Sequence, residues 1–249
     1  MSASRYLSKL STVLPLTLLA VILCANLACA DTPLQIGVLD GNRPSMTAAK
    51  EVMRIAYARA GVPVQFVTGS AKRHTGLLQA GKLDGFLFRL TFEPDYDLRT
   101  ITVPITREDL VVYSAGVSFA VKGFQSLAPY SVGYVAGVHV IAEQLKEAQA
   151  EAAPSIDSLF RKLDAGRTDI AVDSRFSLCN VRQLGLSHIV ILEPSLAQLN
   201  GYHVLHKKYQ DVYQKLDTVL QKMEKDGEIK KINDTVFQQY EEQCKTRHP

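Results

Sequence analysis

The chain has 249 residues and a formal net charge of +3, with 21% charged and 47% hydrophobic residues, the balance of an ordinary folded protein. Two of the positive charges, Arg5 and Lys9, lie in an N-terminal leader-like segment, so the rest is nearly neutral and lacks the basic field that nucleic-acid binding needs. No internal repeat, low-complexity tract or charge block interrupts it.

The first thirty residues read as a secretory signal peptide. Arg5 and Lys9 are followed by an apolar run from Val13 to about Ala28, then Ala28-Cys29-Ala30 and Asp31. A basic start, a short apolar centre and a small-x-small site describe a cleavable leader, with cleavage expected after Ala30. A spanning helix needs about 20 apolar residues, and this run is shorter and broken by Pro15 and Asn26. The rival is lipid attachment at Cys29, against which Asn26 stands where an aliphatic residue is usual. Such a leader places the mature protein in the periplasm, and a monomer is expected there.

The mature chain then alternates short apolar runs with helical patterns. Leu34 to Asp40 reads as a buried strand. From Pro44, residues Ala49, Val52, Met53, Ala56 and Ala60 share one helical face until Gly61 and Pro63 end it. Val64 to Thr68 is a second strand, Arg73 to Gly81 a short helix, and Asp84 to Leu90 a third strand. Such alternation points to parallel βαβ units. Strands follow near Thr100 to Pro104 and Leu110 to Ser114. A second α/β set has a strand at Ser131 to Val135, a helix from His139 to about Ala150, and a helix from Ser155 with Ile156, Leu159, Phe160 and Leu163 on one face. Strands at Asp169 to Asp173, Ile189 to Leu192 and Tyr202 to Leu205 come next. The tail is helical, first over Tyr209 to Met223, then from Ile229 beyond the Asp226-Gly227 break. Cys179 and Cys244 remain after the leader, and an oxidising compartment favours one disulfide over two free thiols.

Four stretches carry a resemblance: Gly81-Lys82-Leu83-Asp84-Gly85, Ser131-Val132-Gly133-Tyr134-Val135-Ala136-Gly137, Leu163 to Asp173, and Tyr209 to Gly227. In this order and spacing the chain resembles the bacterial extracellular solute-binding proteins of family 3, the type II periplasmic receptors. The resemblance implies an α/β fold of two lobes joined by two crossing strands. The first lobe would take residues 31–112 and 200–249, the second 113–199. It also implies a small polar ligand delivered to a membrane permease. Two departures bear on that ligand. Where amino-acid receptors carry Thr-x-Glu-Arg, this chain reads Thr91-Phe92-Glu93-Pro94. Where they often place a Thr after the glycine opening a helix, Gly137 is followed by Val138 and His139. Both weigh against a plain α-amino acid.

Ligands of open α/β sheets sit beyond the carboxyl ends of the strands. That rule selects Asp40 and Arg43 after the first strand, Arg73 after the second, Arg89 and Thr91 at the end of the third, and Tyr134, His139, Asp173 and Arg175 in the second set. Arg89 interrupts an apolar run, and a buried guanidinium needs a carboxylate, a ligand or water. A ligand carboxylate would suit its planar fork, with an internal salt bridge to Asp84 or Asp40 as the alternative. Arg73 is equally readable as a surface residue, and Asp173 as a helix cap. Asp40 and Arg43 could pair with each other, and His139 reads slightly better as a surface residue. Relatives place an acidic group for the ligand amine one residue beyond Asp173.

No phosphate-cradling loop or nucleophile elbow occurs. His203 and His206 would face opposite ways on a strand, so no metal is expected, and no cofactor either. With no acid–base pair identifiable, a binding protein is expected rather than an enzyme. A dehydratase of the cyclohexadienyl type on the same fold, and a ligand-sensing adaptor for a membrane receptor, are the alternatives.

Overall fold

A computed structural model describes residues 32–39, 41, 43–90, 97–136, 139–146 and 148–247. The leader with Cys29, and also Asp40, Thr91 and Gly137, lie outside the described residues. None of the described helices is long and apolar enough to cross a membrane.

The first half of the architecture is a βαβαβ unit of β1 (Leu34–Leu39), α1 (Pro44–Ala60), β2 (Val64–Gly69), α2 (Ala71–Gln79) and β3 (Gly85–Arg89). Its strands are parallel, in the order β2-β1-β3. Period-2 alternation puts Leu34, Ile36 and Val38 on one buried face of β1. Against that face α1 buries Ala49, Val52, Met53, Ala56 and Tyr57, each fully enclosed. A fully buried Val or Met side chain contributes about 1.5–3 kcal/mol, so this face anchors the half. Pro44 begins α1, where its missing N–H costs nothing. Gly61 ends it at φ 67, a left-handed position that only glycine occupies freely, and Val62 N–H then bonds back to the Tyr57 carbonyl at 3.1 Å.

The second half holds β6 (Ser131–Val135), α3 (His139–Gln144), β7 (Gln149–Ala153), α4 (Ile156–Asp164), β8 (Ile170–Ser174) and α5 (Leu178–Gln183). Strands β7, β6 and β8 are parallel. Helix α4 is capped by Ser155, whose hydroxyl accepts from Ser158 N–H at 3.1 Å. It buries Leu159, Phe160 and Leu163, and the Phe160 ring meets Tyr113 edge-on at 4.9 Å.

Two long strands run from one half to the other. They are β5 (Thr106–Ser114) and β9 (Val190–His206), paired antiparallel over most of their length. The far end of β9 pairs with β3 and with the short β4 (Leu98–Thr100), while β5 pairs with β8. Helices α6 (Gln210–Lys225) and α7 (Glu228–Arg247) finish the chain. Asn233 on α7 is buried against β5: its amide donates to the carbonyls of Ile105 at 3.0 Å and Ile229 at 2.9 Å, and its oxygen accepts from the Thr106 hydroxyl at 2.9 Å. Asn233→Ala strands two of these partners and is expected to cost about 2 kcal/mol in urea unfolding. A loss within the scatter of surface substitutions would show the cluster to be energetically idle.

Three sequence expectations change. The helix expected to run from His139 to Ala150 stops at Gln144, and Gln149–Ala153 is a strand beside β6. Its Gln, Ala and Glu residues favour helix, and pairing overrides that preference. The runs at 189–192 and 202–205 are two ends of one strand, β9. Pro194 hid this. It falls where the β5 register jumps between Leu110 and Val112, so no ladder bond needs its missing N–H. The strand expected near 100–104 lies earlier, as β4.

Candidate functional site

The end of β1 and the start of α1 face the end of β8 across a cavity of about 310 Å³. That size is at the lower end for small-molecule sites. Gly41, Arg43 and Pro44 line one side; Ile156, Ser174, Phe176 and Ser177 line the other, and Glu108 of the crossing strand β5 forms part of its wall.

Two charged groups of its wall, Arg43 and Glu108, set its electrostatics, with Asp173 buried behind Ser174 and Ser177 and outside the wall itself. Glu108 is buried, with 4% of its side chain exposed, yet its charge has partners. It accepts a short hydrogen bond from the Ser45 hydroxyl, and Arg43 stands 3.9 Å from its other oxygen. It also lies at the positive end of α1, whose first turn carries no acidic residue of its own. Asp173, also buried, accepts from Ser177 Oγ at 2.9 Å. Burial pushes its carboxyl above the usual aspartate range, and the Ser174 N–H, the Arg43 charge and the Ser177 hydroxyl oppose that rise. Arg43 therefore acts electrostatically on a carboxylate of the opposite half. Its side chain keeps 44% exposure, which leaves donors facing solvent and the cavity.

The other sequence-selected residues are distributed more widely. Arg89, half-buried at the end of β3, is not part of the cavity wall; its guanidinium lies 5.0 Å from the Phe86 ring. Of the two internal partners weighed for it, Asp40 lies outside the described residues, and the Asp84 carboxylate accepts from Gln35 N–H at 2.9 Å and Tyr209 OH at 2.5 Å, with Lys208 at 3.4 Å. Arg73 is exposed in the first turn of α2, which Ser70 caps. Tyr134 is half-buried and packs on the apolar cluster around Val132 and Ile170. His139 opens α3. Arg175 makes a two-pronged pair with Glu193 at 2.6 and 3.0 Å, bonds Ser195 at 2.9 Å, and has Asp109 at 3.7 Å. These bonds fasten the end of β8 to both crossing strands.

Cys179 and Cys244 are joined in a disulfide and both line the cavity, together with Asn180, Gln183, Tyr240 and Gln243. Sequence reasoning missed this last group, and Glu108 with it. The run Thr106-Arg107-Glu108-Asp109 reads as polar loop, and nothing local marks one of its carboxylates as enclosed.

No family model matches the chain. An uncharacterized protein of Shewanella oneidensis is 27% identical over 204 residues, 76% of this chain and 73% of that protein. Among solved structures, the GluR0 ligand-binding core in complex with L-glutamate aligns with TM-score 0.68 at 12% identity, covering 83% of this chain and 98% of that one. An amino acid ABC transporter substrate-binding protein, AbpA of Streptococcus pneumoniae bound to L-arginine, gives TM-score 0.62 at 15% identity, over 84% of this chain and 95% of that one. The periplasmic VFT2 domain of Bordetella pertussis BvgS gives TM-score 0.62 at 15% identity, over 81% and 92%. At such identities the likeness establishes the fold: two α/β lobes of the type II periplasmic-binding-protein kind, joined by crossing strands.

Proposed function

We propose that this chain is an exported periplasmic solute-binding protein. It captures a small polar solute, amino-acid-like or carboxylate-bearing, between its lobes and hands it to an ABC-type permease. Residues 31–112 and 200–249 form one lobe, 113–199 the other, and residues 1–30 are the leader removed on export. The observation that carries the reading is the meeting of Arg43 at the start of α1 with Ser174 at the end of β8 on one cavity. A solute there touches both lobes only when they are together, so binding shifts the hinge equilibrium toward closure. Arg43 offers an anionic group its fork, and Ser174 and Ser177, the latter bonded to the buried Asp173, offer oxygens to a donor group. No step of bond making or breaking is assigned to these residues. The fold shared with the BvgS domain favours one further reading, in which a membrane receptor rather than a permease reads the closed state.

A thermal-shift screen with amino acids, dicarboxylates, polyamines and short peptides tests the reading. A solute at about a hundred times its Kd adds about 2.7 kcal/mol, which in a chain of this size raises Tm by roughly 5–10 °C. Arg43→Ala is expected to remove that shift and Arg89→Ala to keep it. The reverse pattern would move the anion contact to β3, and no shift with any solute would leave the cavity without a ligand of these classes.

A further inference from the structure

We propose that the Cys179–Cys244 bond turns helix α7 into a third link between the lobes, a rigid strut that limits how far the cleft opens. The start of α7 belongs to the first half of the molecule. Glu228 makes a two-pronged pair with Arg59 of α1 at 2.6 and 2.8 Å, and Ile229 and Ile232 join the same apolar core as Val52 and Met53. One turn on, Asn233 and Asp234 hold the beginning of β5, Asp234 through Arg107 at 2.9 Å. The far end belongs to the other half. Phe237 and Tyr240 pack on Phe176 with ring centroids 4.8 and 5.8 Å apart, and Cys244 is bonded to Cys179 of α5.

A helix rises about 1.5 Å per residue and does not stretch, so from Ile229 to Cys244 the strut spans roughly 22 Å as a rigid rod. The crossing strands β5 and β9 can bend. A rod fixed at both ends, with its far end forming part of the cavity wall, resists that bending wherever it would separate Phe176 from Tyr240. The aromatic contacts alone could part and re-form. The covalent bond makes the attachment permanent. A cleft restrained in this way is already close to its binding geometry, so less of the binding energy is spent on closure. The inference rests on the fold and the disulfide, not on the identity of any solute. It therefore survives or fails separately from the solute-binding reading.

The test compares the oxidised wild type with Cys179→Ser/Cys244→Ser, both without added ligand, by small-angle X-ray scattering and amide hydrogen exchange. A compact chain of this length has a radius of gyration of about 17 Å, and the variant is expected to exceed the wild type by about 1 Å. Exchange is expected to speed up about tenfold in residues 237–247, 106–109 and 193–201, with α1 and α4 unchanged. Equal scattering and equal exchange would overturn the strut, and so would faster exchange everywhere, which would mean simple loss of stability. Should the double variant not fold, folded wild type that has been reduced with a phosphine and alkylated undergoes the same comparison with the same outcomes.

Discussion

Gly85→Ala is expected to cost about 3 kcal/mol or more, and to lower Tm by roughly 6–12 °C, although it adds a single methyl group. Gly85 opens β3 opposite Leu205 of β9. A Cβ built there would lie 2.2 Å from the Val204 carbonyl oxygen and 3.1 Å from the Leu205 Cα, both backbone atoms. A flexible side chain could swing away from such a clash; a strand paired on both sides cannot. The β3–β9 pairing must open instead, beside the bond from His206 N–H to the Asp84 carbonyl at 2.7 Å. Gly116→Ala is the control, because its Cβ would meet nothing within 4 Å, and it is expected to stay within about 0.5 kcal/mol of wild type. Urea unfolding of the pair decides the matter; equal stabilities would mean that β9 yields locally.

The second large effect is a loss of stability with acid that runs through one histidine. His203 is fully buried on β9, between the Leu87 carbonyl, 3.0 Å from Nδ1, and the Tyr57 hydroxyl, 3.0 Å from Nε2. The carbonyl can only accept, so Nδ1 carries the proton and Nε2 accepts from the hydroxyl. Burial lowers the imidazole pKa to about 4. In the unfolded chain it titrates near its ordinary value of about 6.5. Between those values the unfolded state binds the proton and the folded state does not. Stability conferred by the neutral ring is thus whole above pH 6.5 and falls away as the pH drops toward 4, by about 3 kcal/mol in all. Asp173, whose carboxyl burial raises, acts in the opposite sense at the acid end and offsets part of the loss. Urea unfolding of wild type and His203→Gln from pH 8 to pH 4 is expected to give a wild-type curve that falls toward a flatter variant curve. Parallel curves would show that His203 does not carry the effect.

Most strands and helices were legible because burial writes a period into the sequence. The face Ala49, Val52, Met53, Ala56 repeats every three or four residues, and Ile36 and Val38 alternate, since each faces a core. Strand β7 was not legible because it is an edge: only Ala153 of its residues is buried, so no apolar face marks it. The site was harder to read for a related reason. The rule that ligands gather at strand ends selected Arg43, which lines the cavity, and Asp173, which lies beside it, and gave Arg89 and Arg175 equal standing. Only the fold shows Arg175 held by Glu193 and Ser195, or Glu108 enclosed behind Ser45. Those partners lie far along the chain, and no local pattern brings them together. His203 is the same case. It was read as half of an unlikely metal pair, and its role comes from Tyr57, 146 residues away.

The proposed solute site is where Arg43 and the end of β8 converge. Calorimetric titration of the best screening solute into wild type and Arg43→Ala measures this most directly. One molecule bound per chain, with affinity at least about tenfold weaker in the variant, is the expected result, since the loss of one charged contact is worth about 1.4 kcal/mol or more. Equal affinity in the two proteins would place the solute elsewhere, away from this cavity.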